Sequence, residues 1–229
     1  MPDYIDFVNH PKTCEPDDFW GQVKRTINGK TVSEDQIEMI VKACTTGLAI
    51  DPNDRLLDLC CGNGALSKRI FSECAGGTGV DSSESLIAIA RQYFEIEGRE
   101  RYFLDDVLAY AQTERQPEQY TKAMCYGSIQ YIPTDILTET FATLHRRFVN
   151  IKKVFIGNVP DRDRAPIFYA DRPYDEELMS NPRAALGIWW QQEALTRMLK
   201  DTGWNATISL MPPAYYCAHY RYDVLLTRN

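Results

Sequence analysis

The 229-residue chain has no apolar run approaching the ~18 residues of a membrane span. Its opening stretch, Met1 to His10, lacks the charged-then-apolar order of a secretion signal. Both absences lead to the expectation of a cytoplasmic protein with no membrane partner. Basic charge is also in deficit: 25 Lys and Arg stand against 32 Asp and Glu, a net charge of −7. An acidic surface repels phosphate backbones, and no Lys/Arg-rich run offsets it, so a nucleic-acid partner is not expected. The seven cysteines are odd in number and contain no C-x-x-C pair. They read as buried reduced thiols, neither a disulfide frame nor a zinc site, and no metal is expected. Histidine is scarce, with three residues, so few candidates exist for proton transfer near neutral pH.

Apolar residues make up 44% and charged residues 25%, which suits an ordinary globular domain. Ser33 with Gln36 resembles a capping box, followed by Ile37, Ile40, Val41, Cys44 and Leu48 at helical spacing. Short apolar strands then alternate with helical segments. The strands are expected at 55–60, 78–80, 101–104, 122–126 and 153–157. The helices carry Leu66, Ile70 and Cys74; Leu86, Ile89, Ala90 and Tyr93, opened by Ser82 or Ser83; and Leu137, Thr140, Phe141, Leu144 and Phe148. A further helix carries Trp190, Ala194, Leu195, Met198 and Leu199. Closing strands at about 205–211 and 222–228 are joined by some ten residues, too few for a crossover helix, so they should pair antiparallel. The expected fold is α/β, a Rossmann-like doubly wound, mostly parallel sheet ending in an antiparallel hairpin. An N-terminal helical arm or lid (1–32) precedes a single domain (33–229), with an insertion at about 158–187 after strand five.

The segment Leu56 to Ser67, LLDLCCGNGALS, runs an apolar strand through Gly62-Asn63-Gly64 into a helix. Glycines there permit a tight turn and close approach of a ligand. A dinucleotide site wants a third glycine, and Ser67 stands in its place. A cofactor without a pyrophosphate wants an acid at the strand end, where Asp58 lies. Asp81 ends the second strand, nineteen residues beyond Gly62, the spacing at which a carboxylate reaches ribose hydroxyls. Asp105 and Asp106 end the third. One such acid alone is a common helix cap. Three at the carboxyl ends of consecutive strands line the edge where open α/β sheets bind ligands.

With these residues in view, the chain resembles the class I S-adenosylmethionine-dependent methyltransferases over about residues 33–229. The first motif of that family is matched by Asp58-Leu59-Cys60-Cys61-Gly62-Asn63-Gly64, with Cys60 where the family has a glycine. GVDSSESLIAIA, YFLDDV and MCYGSIQYIP resemble the later motifs. The resemblance implies S-adenosylmethionine as cofactor and S-adenosylhomocysteine as product. It assigns cofactor contacts to Asp58, Cys60, Gly62, Asn63 and Gly64, then Asp81 and Ser82, then Asp105, Asp106 and Val107, and Tyr126. Asp81 takes the ribose position, and Asp106, before Asp105, the adenine.

The acceptor should meet the methyl group at the same edge, flanked by Tyr126, Ser128, Gln130 and Tyr131, by Asn158, Asp161, Arg162 and Asp163, and by Tyr215, Tyr216, His219 and Tyr220. An oxygen nucleophile needs a base. His219, in the hairpin turn, is the first candidate and Asp161 the second, while His145 reads as structural and His10 as part of the arm. The Asn/Asp-Pro-Pro-aromatic pattern of the family's amino-group methylases is absent after strand four. Aromatics in the arm (Phe7, Phe19, Trp20) and the insertion (Phe168, Tyr169, Tyr174) are suited to capping a small organic molecule. The expectation is O-methylation of a small polar metabolite, such as a sugar derivative or secondary-metabolism intermediate, by a possible homodimer. The alternatives are N-methylation of a small molecule and a catalytically idle methyltransferase-like binding subunit.

Overall fold

A computed structural model of the chain describes residues 9–170 and 174–228; Phe7 of the expected aromatic cap lies outside them. Seven strands form one sheet: β1 (Leu56–Leu59), β2 (Gly77–Asp81), β3 (Glu100–Leu104), β4 (Lys122–Tyr126), β5 (Lys153–Pro160), β6 (Trp204–Leu210) and β7 (Arg221–Arg228). Their spatial order is β3-β2-β1-β4-β5-β7-β6. The first five are parallel, and β7 runs antiparallel to both β5 and β6. The order reverses between β1 and β4, the crevice where such sheets take ligands.

Strand side chains alternate between two cores. Leu57, Leu59, Ala123, Cys125, Val154 and Ile156 pack with helices α4 (Val107–Thr113), α5 (Thr134–Arg147) and α6 (Gln192–Asp201). Leu56, Met124, Tyr126 and Phe155 pack with α1 (Glu34–Leu48), α2 (Ala65–Phe71) and α3 (Glu84–Phe94). Each fully buried Leu, Ile or Phe contributes about 1.5–3 kcal/mol. Caps set the helix starts: the Ser83 hydroxyl accepts from the Leu86 amide, and Asp106 accepts from Leu108 and Ala109. Among the described residues no helix is long and apolar enough to cross a membrane.

Three local expectations are corrected. Strand five does not stop at Gly157 but continues to Pro160 through an irregularity at Asn158, where β7 keeps pairing with it. Trp190 lies before its expected helix, which starts at Gln192, because its amide donates to the Pro160 carbonyl and its carbonyl accepts from the Arg162 amide in a single bridge to Asp161. Gln36 does not close a capping box. Its Nε2 donates to the Ala214 carbonyl and its Oε1 accepts from the Tyr216 amide, tying α1 to the β6–β7 turn. The described part of the arm, 9–32, holds a one-turn helix (Phe19–Gln22) and a two-residue ribbon (Thr26–Ile27 with Lys30–Thr31).

Candidate functional site

The turn after β1 is left-handed at Cys60, Gly62 and Gly64, with φ of 61°, 60° and 79°. At Cys60 a side chain accepts this conformation at a cost of about 1–2 kcal/mol. A Cβ on Gly64 would fall 2.8 Å from the Tyr102 ring, and one on Gly62 would fall 2.9 Å from Val23 of the arm. Both glycines are therefore required by close packing as well as by φ.

Asp58 lies beneath this turn, 2% exposed, with the Ser67 hydroxyl donating to its Oδ2 at 2.5 Å. Ser67, which breaks the dinucleotide fingerprint, is thus a partner of the strand-end acid. Burial raises the Asp58 carboxyl to about 7, opposed by that hydrogen bond and by the Arg25 guanidinium. Asp81, at the end of β2, accepts from the Gly62 amide on Oδ2 and the Ser83 amide on Oδ1, both at 2.9 Å. Burial raises this carboxyl too, while the amides of Ser83, Gly62 and Ser82 hold it down. Ser82 itself is exposed. At the end of β3, Asp105 accepts from the Asp106 amide, Asp106 caps α4, and Val107 is the buried first residue of that helix. Asp106 therefore has one carboxylate oxygen committed to the helix start.

Asn63 departs from its expected placement. It is 1% exposed, and its Nδ2 donates to the Phe19 carbonyl and the Gln22 Oε1. Its side chain fastens the arm to the glycine turn instead of facing a ligand.

That fastening brings in a residue that carries no motif signal. Arg25 reaches over the ring of Tyr126, 4.8 Å from its centroid, and over Trp20 at 5.9 Å. Its Nε is buried without a hydrogen-bond partner. An isolated arginine in a polar arm carries no spacing signal; only docking of the arm shows where it points. Tyr126 is buried at the end of β4, on the same sheet face as Asp58, and its hydroxyl meets that of Tyr215 at 2.9 Å.

On the β5–β7 side, Asp161 is 1% exposed and fully engaged. It accepts from the Asp163 amide and Gln192 Nε2, and its carboxylate lies 3.3 Å from Arg164 Nε. This is a cap and ion-pair role, in place of the free carboxylate that a base requires. His219 is exposed in the turn between β6 and β7, its ring stacked on Phe168 at 6.5 Å and 4.8 Å from Tyr220. Phe168, Tyr169, Tyr174, Trp189 and Tyr220 form one aromatic cluster around it. Phe19 instead packs on Tyr93 and Phe94 of α3. His145 sets its ring edge-on to Trp204, and His10 bonds the Gly21 carbonyl.

Residues 56–149 match a family described as a methyltransferase domain. The ubiquinone biosynthesis O-methyltransferase of Pseudomonas aeruginosa (strain UCBPP-PA14) is 25% identical over 114 residues, 50% of this chain and 48% of that protein. Its Pseudomonas fluorescens (strain Pf0-1) counterpart is 30% identical over 79 residues, 34% of each chain. The chain thus matches half or less of the length of these relatives. Among solved structures, the cyclopropane synthase MmaA2 from Mycobacterium tuberculosis superposes with a TM-score of 0.66 at 17% identity, covering 95% of this chain and 82% of that one. Magnesium protoporphyrin IX methyltransferase from Synechocystis, solved with bound S-adenosylmethionine, gives 0.58 at 15% identity over 85% and 79%.

Proposed function

We propose that the chain is a class I S-adenosylmethionine-dependent methyltransferase, a reading supported by its match to a methyltransferase domain over residues 56–149, and that it moves a methyl group from that cofactor to an oxygen of a small polar molecule. One observation carries the reading: Asp58, the Gly62/Gly64 turn, Asp81 and the Asp105–Asp106 pair share the carboxyl edge, and Arg25, whose buried Nε has no hydrogen-bond partner, lies within electrostatic reach of Asp58.

The residues present fit the cofactor. Its methionine end carries an ammonium and a carboxylate. Asp58 is a buried carboxyl awaiting a cation, and Arg25 a buried donor awaiting an acceptor. Asp81 would hold the ribose hydroxyls, and Asp105, Asp106 and Val107 the adenine. When bound, the cofactor supplies a methyl group on a positively charged sulfur, open to direct displacement by a nucleophile.

The chain's own contribution is alignment and exclusion of water. The arm, held by Asn63, covers the glycine turn. The β6–β7 turn is tied to the site by Tyr215 on Tyr126 and by Cys217 on Asn158. Its aromatic cluster suits an organic acceptor with apolar surface. His219, two residues beyond Cys217, is the group on this turn able to take a hydroxyl proton, since Asp161 is already spent.

Calorimetric titration with S-adenosylmethionine, S-adenosylhomocysteine and NAD tests the cofactor, with the first two expected to bind. Tight NAD binding with no response to S-adenosylmethionine overturns the reading. Binding without transfer of labelled methyl groups into any small-molecule mixture would favour an idle binding subunit. Label recovered on nitrogen would replace O-methylation with N-methylation.

A further inference from the structure

The irregularity in β5 is a one-residue bulge. Ile156 pairs with Val224 and Val159 with Tyr222, so β5 advances three residues while β7 advances two. Asn158 carries the distortion at φ 65°. A bulge takes a peptide out of the ladder, and its N–H and C=O then need other partners. Two ionisable side chains provide them. Asp223 Oδ1 accepts from the Asn158 amide at 2.8 Å, and Arg221 Nη1 donates to the Asn158 carbonyl at 2.5 Å. Both side chains are 5% exposed, and Arg221 Nε has no hydrogen-bond partner. Burying two such groups is costly, and a bend alone does not require it.

The brace also aims the Asn158 side chain. The Cys217 thiol donates to its Oδ1 at 3.0 Å, which leaves the amino edge facing the other way. That edge lies against Gly127, the residue after β4, where an added Cβ would fall 3.4 Å from Nδ2. Gly127 is in turn held to β5 by its amide on the Gly157 carbonyl. Gly157 has no side chain because the Tyr126 ring fills that space, 2.2 Å from where its Cβ would stand. The carboxamide donor therefore stands beside Gly127, one residue past Tyr126, whose ring lies under the Arg25 guanidinium. Bulges recur beside active sites because they re-aim one side chain.

We propose that Asn158 is the acceptor-orienting residue: its Nδ2 donates to a hydroxyl, carbonyl or carboxylate oxygen next to the acceptor atom that takes the methyl group. The proposal rests on the methyltransferase reading above. A carboxamide does not titrate in water, so it serves orientation and leaves proton removal to another group. Donation to the attacking oxygen itself would withdraw electron density, so the neighbouring oxygen is the productive partner. The acceptor class is thus a molecule with two oxygens, or an oxygen and another nucleophile, on adjacent positions.

Asn158→Gly tests this, because glycine adopts φ near 65° without strain and keeps the bulge. Asn158→Asp keeps the shape and removes the donors. Both variants should bind S-adenosylmethionine within about twofold of the parent and melt no lower in the glycine case. Transfer of label from methyl-labelled S-adenosylmethionine into a filtered small-molecule cell extract should fall by about 10–1000-fold, the range for a lost positioning donor. Unchanged transfer in Asn158→Gly overturns the proposal, as does a large fall in its melting temperature or cofactor affinity, which would mark a structural residue. A crystal structure with S-adenosylhomocysteine decides the geometry without an acceptor. Laid end to end, the bond, attack and hydrogen-bond distances keep Nδ2 within about 11 Å of the sulfur, and a longer separation overturns the proposal. A wild-type protein that binds no S-adenosylmethionine refutes the methyltransferase reading and this one with it; normal binding with intact transfer in the variants refutes only this one.

Discussion

The carboxyl edge over β1–β3 and the edge over β4, β5 and β7 are built by different means. In the first, the site acids lie at or within two residues of a strand end and most of their bonds are local: Asp81 to Ser83, Asp106 to Leu108, Ser67 to Asp58, with the Gly62 amide on Asp81 and the arm on Asn63 as the longer ties. In the second, the bonds join distant parts of the chain: Tyr126 to Tyr215, Cys217 to Asn158, Gln36 to Tyr216. Strand-end acids and glycine turns can hold a constant ligand with a repeating local pattern. An acceptor that differs from one family member to another is met by loops whose partners are set only by tertiary packing.

The sharpest test of the second half is His219→Ala. If His219 takes the acceptor proton, turnover falls by about 10²–10⁴ while cofactor affinity holds. A raised Michaelis constant with near-normal turnover would instead make it a binding residue among Phe168 and Tyr220. That outcome would leave the acceptor half without a base and widen the difference between the two edges.

The largest effect in the first half is electrostatic. Asp58 rises from the ordinary carboxylate range to about 7 on folding. Between those values the folded state holds a proton that the unfolded chain has released. Stability therefore falls as pH rises from about 4 through about 7, and levels off above. At about 1.4 kcal/mol per unit, the loss approaches about 4 kcal/mol at its ceiling. Asp223, raised to about 6 by burial, adds a loss of the same sign. In Asp58→Asn the first contribution vanishes, and Ser67 can still donate to the amide oxygen. Thermal melts of the ligand-free protein should show the variant gaining on wild type between pH 5 and 8, with Asp223 cancelling in the difference. A pH-independent difference would mean that Asp58 is ionised and paired in the folded state.

How much was legible follows the same division. The alternation of strands and helices, the hairpin and the acids at the ends of β1–β3 are visible because local spacing encodes them: apolar runs, a glycine turn, a cap three residues before a helix face. Asp161 looked free because Gln192 meets it only in three dimensions and because the one-turn helix that sets Arg164 and the Asp163 amide against it carries no apolar periodicity. Asn63 sits inside the motif, yet the arm claims its side chain. The extension of β5 past Gly157 was hidden because a bulge breaks the alternation that reveals a strand. Arg25 was invisible for want of any pattern, although its charge reaches Asp58 across 33 residues of chain.

Arg25 offers a smaller, selective effect. Arg25→Gln should weaken S-adenosylmethionine binding by about 10–100-fold, the loss of one charge-assisted contact to a carboxylate. Binding of 5′-methylthioadenosine, which lacks the amino-acid end, should stay within twofold. An equal loss for both ligands would show that Arg25 shapes the arm and does not read the carboxylate.

Asp81 should give the smallest change in affinity, and it carries two roles that must be separated. Its carboxylate is the one proposed for the ribose hydroxyls, and it also receives the amides of Gly62 and Ser83. Asp81→Ala therefore orphans two backbone donors at the glycine turn. It should lower the melting temperature of the ligand-free protein as well as cofactor affinity, the latter by about tenfold. Asp81→Asn keeps one oxygen for the Gly62 amide and loses the charge. If ribose recognition is the main role, the asparagine variant melts close to wild type yet binds S-adenosylmethionine and 5′-methylthioadenosine about equally weakly, since both carry the ribose. If the turn is the main role, asparagine restores both melting temperature and affinity together. The second outcome would make even the cofactor half a structure held by its acids instead of a set of groups waiting for a ligand.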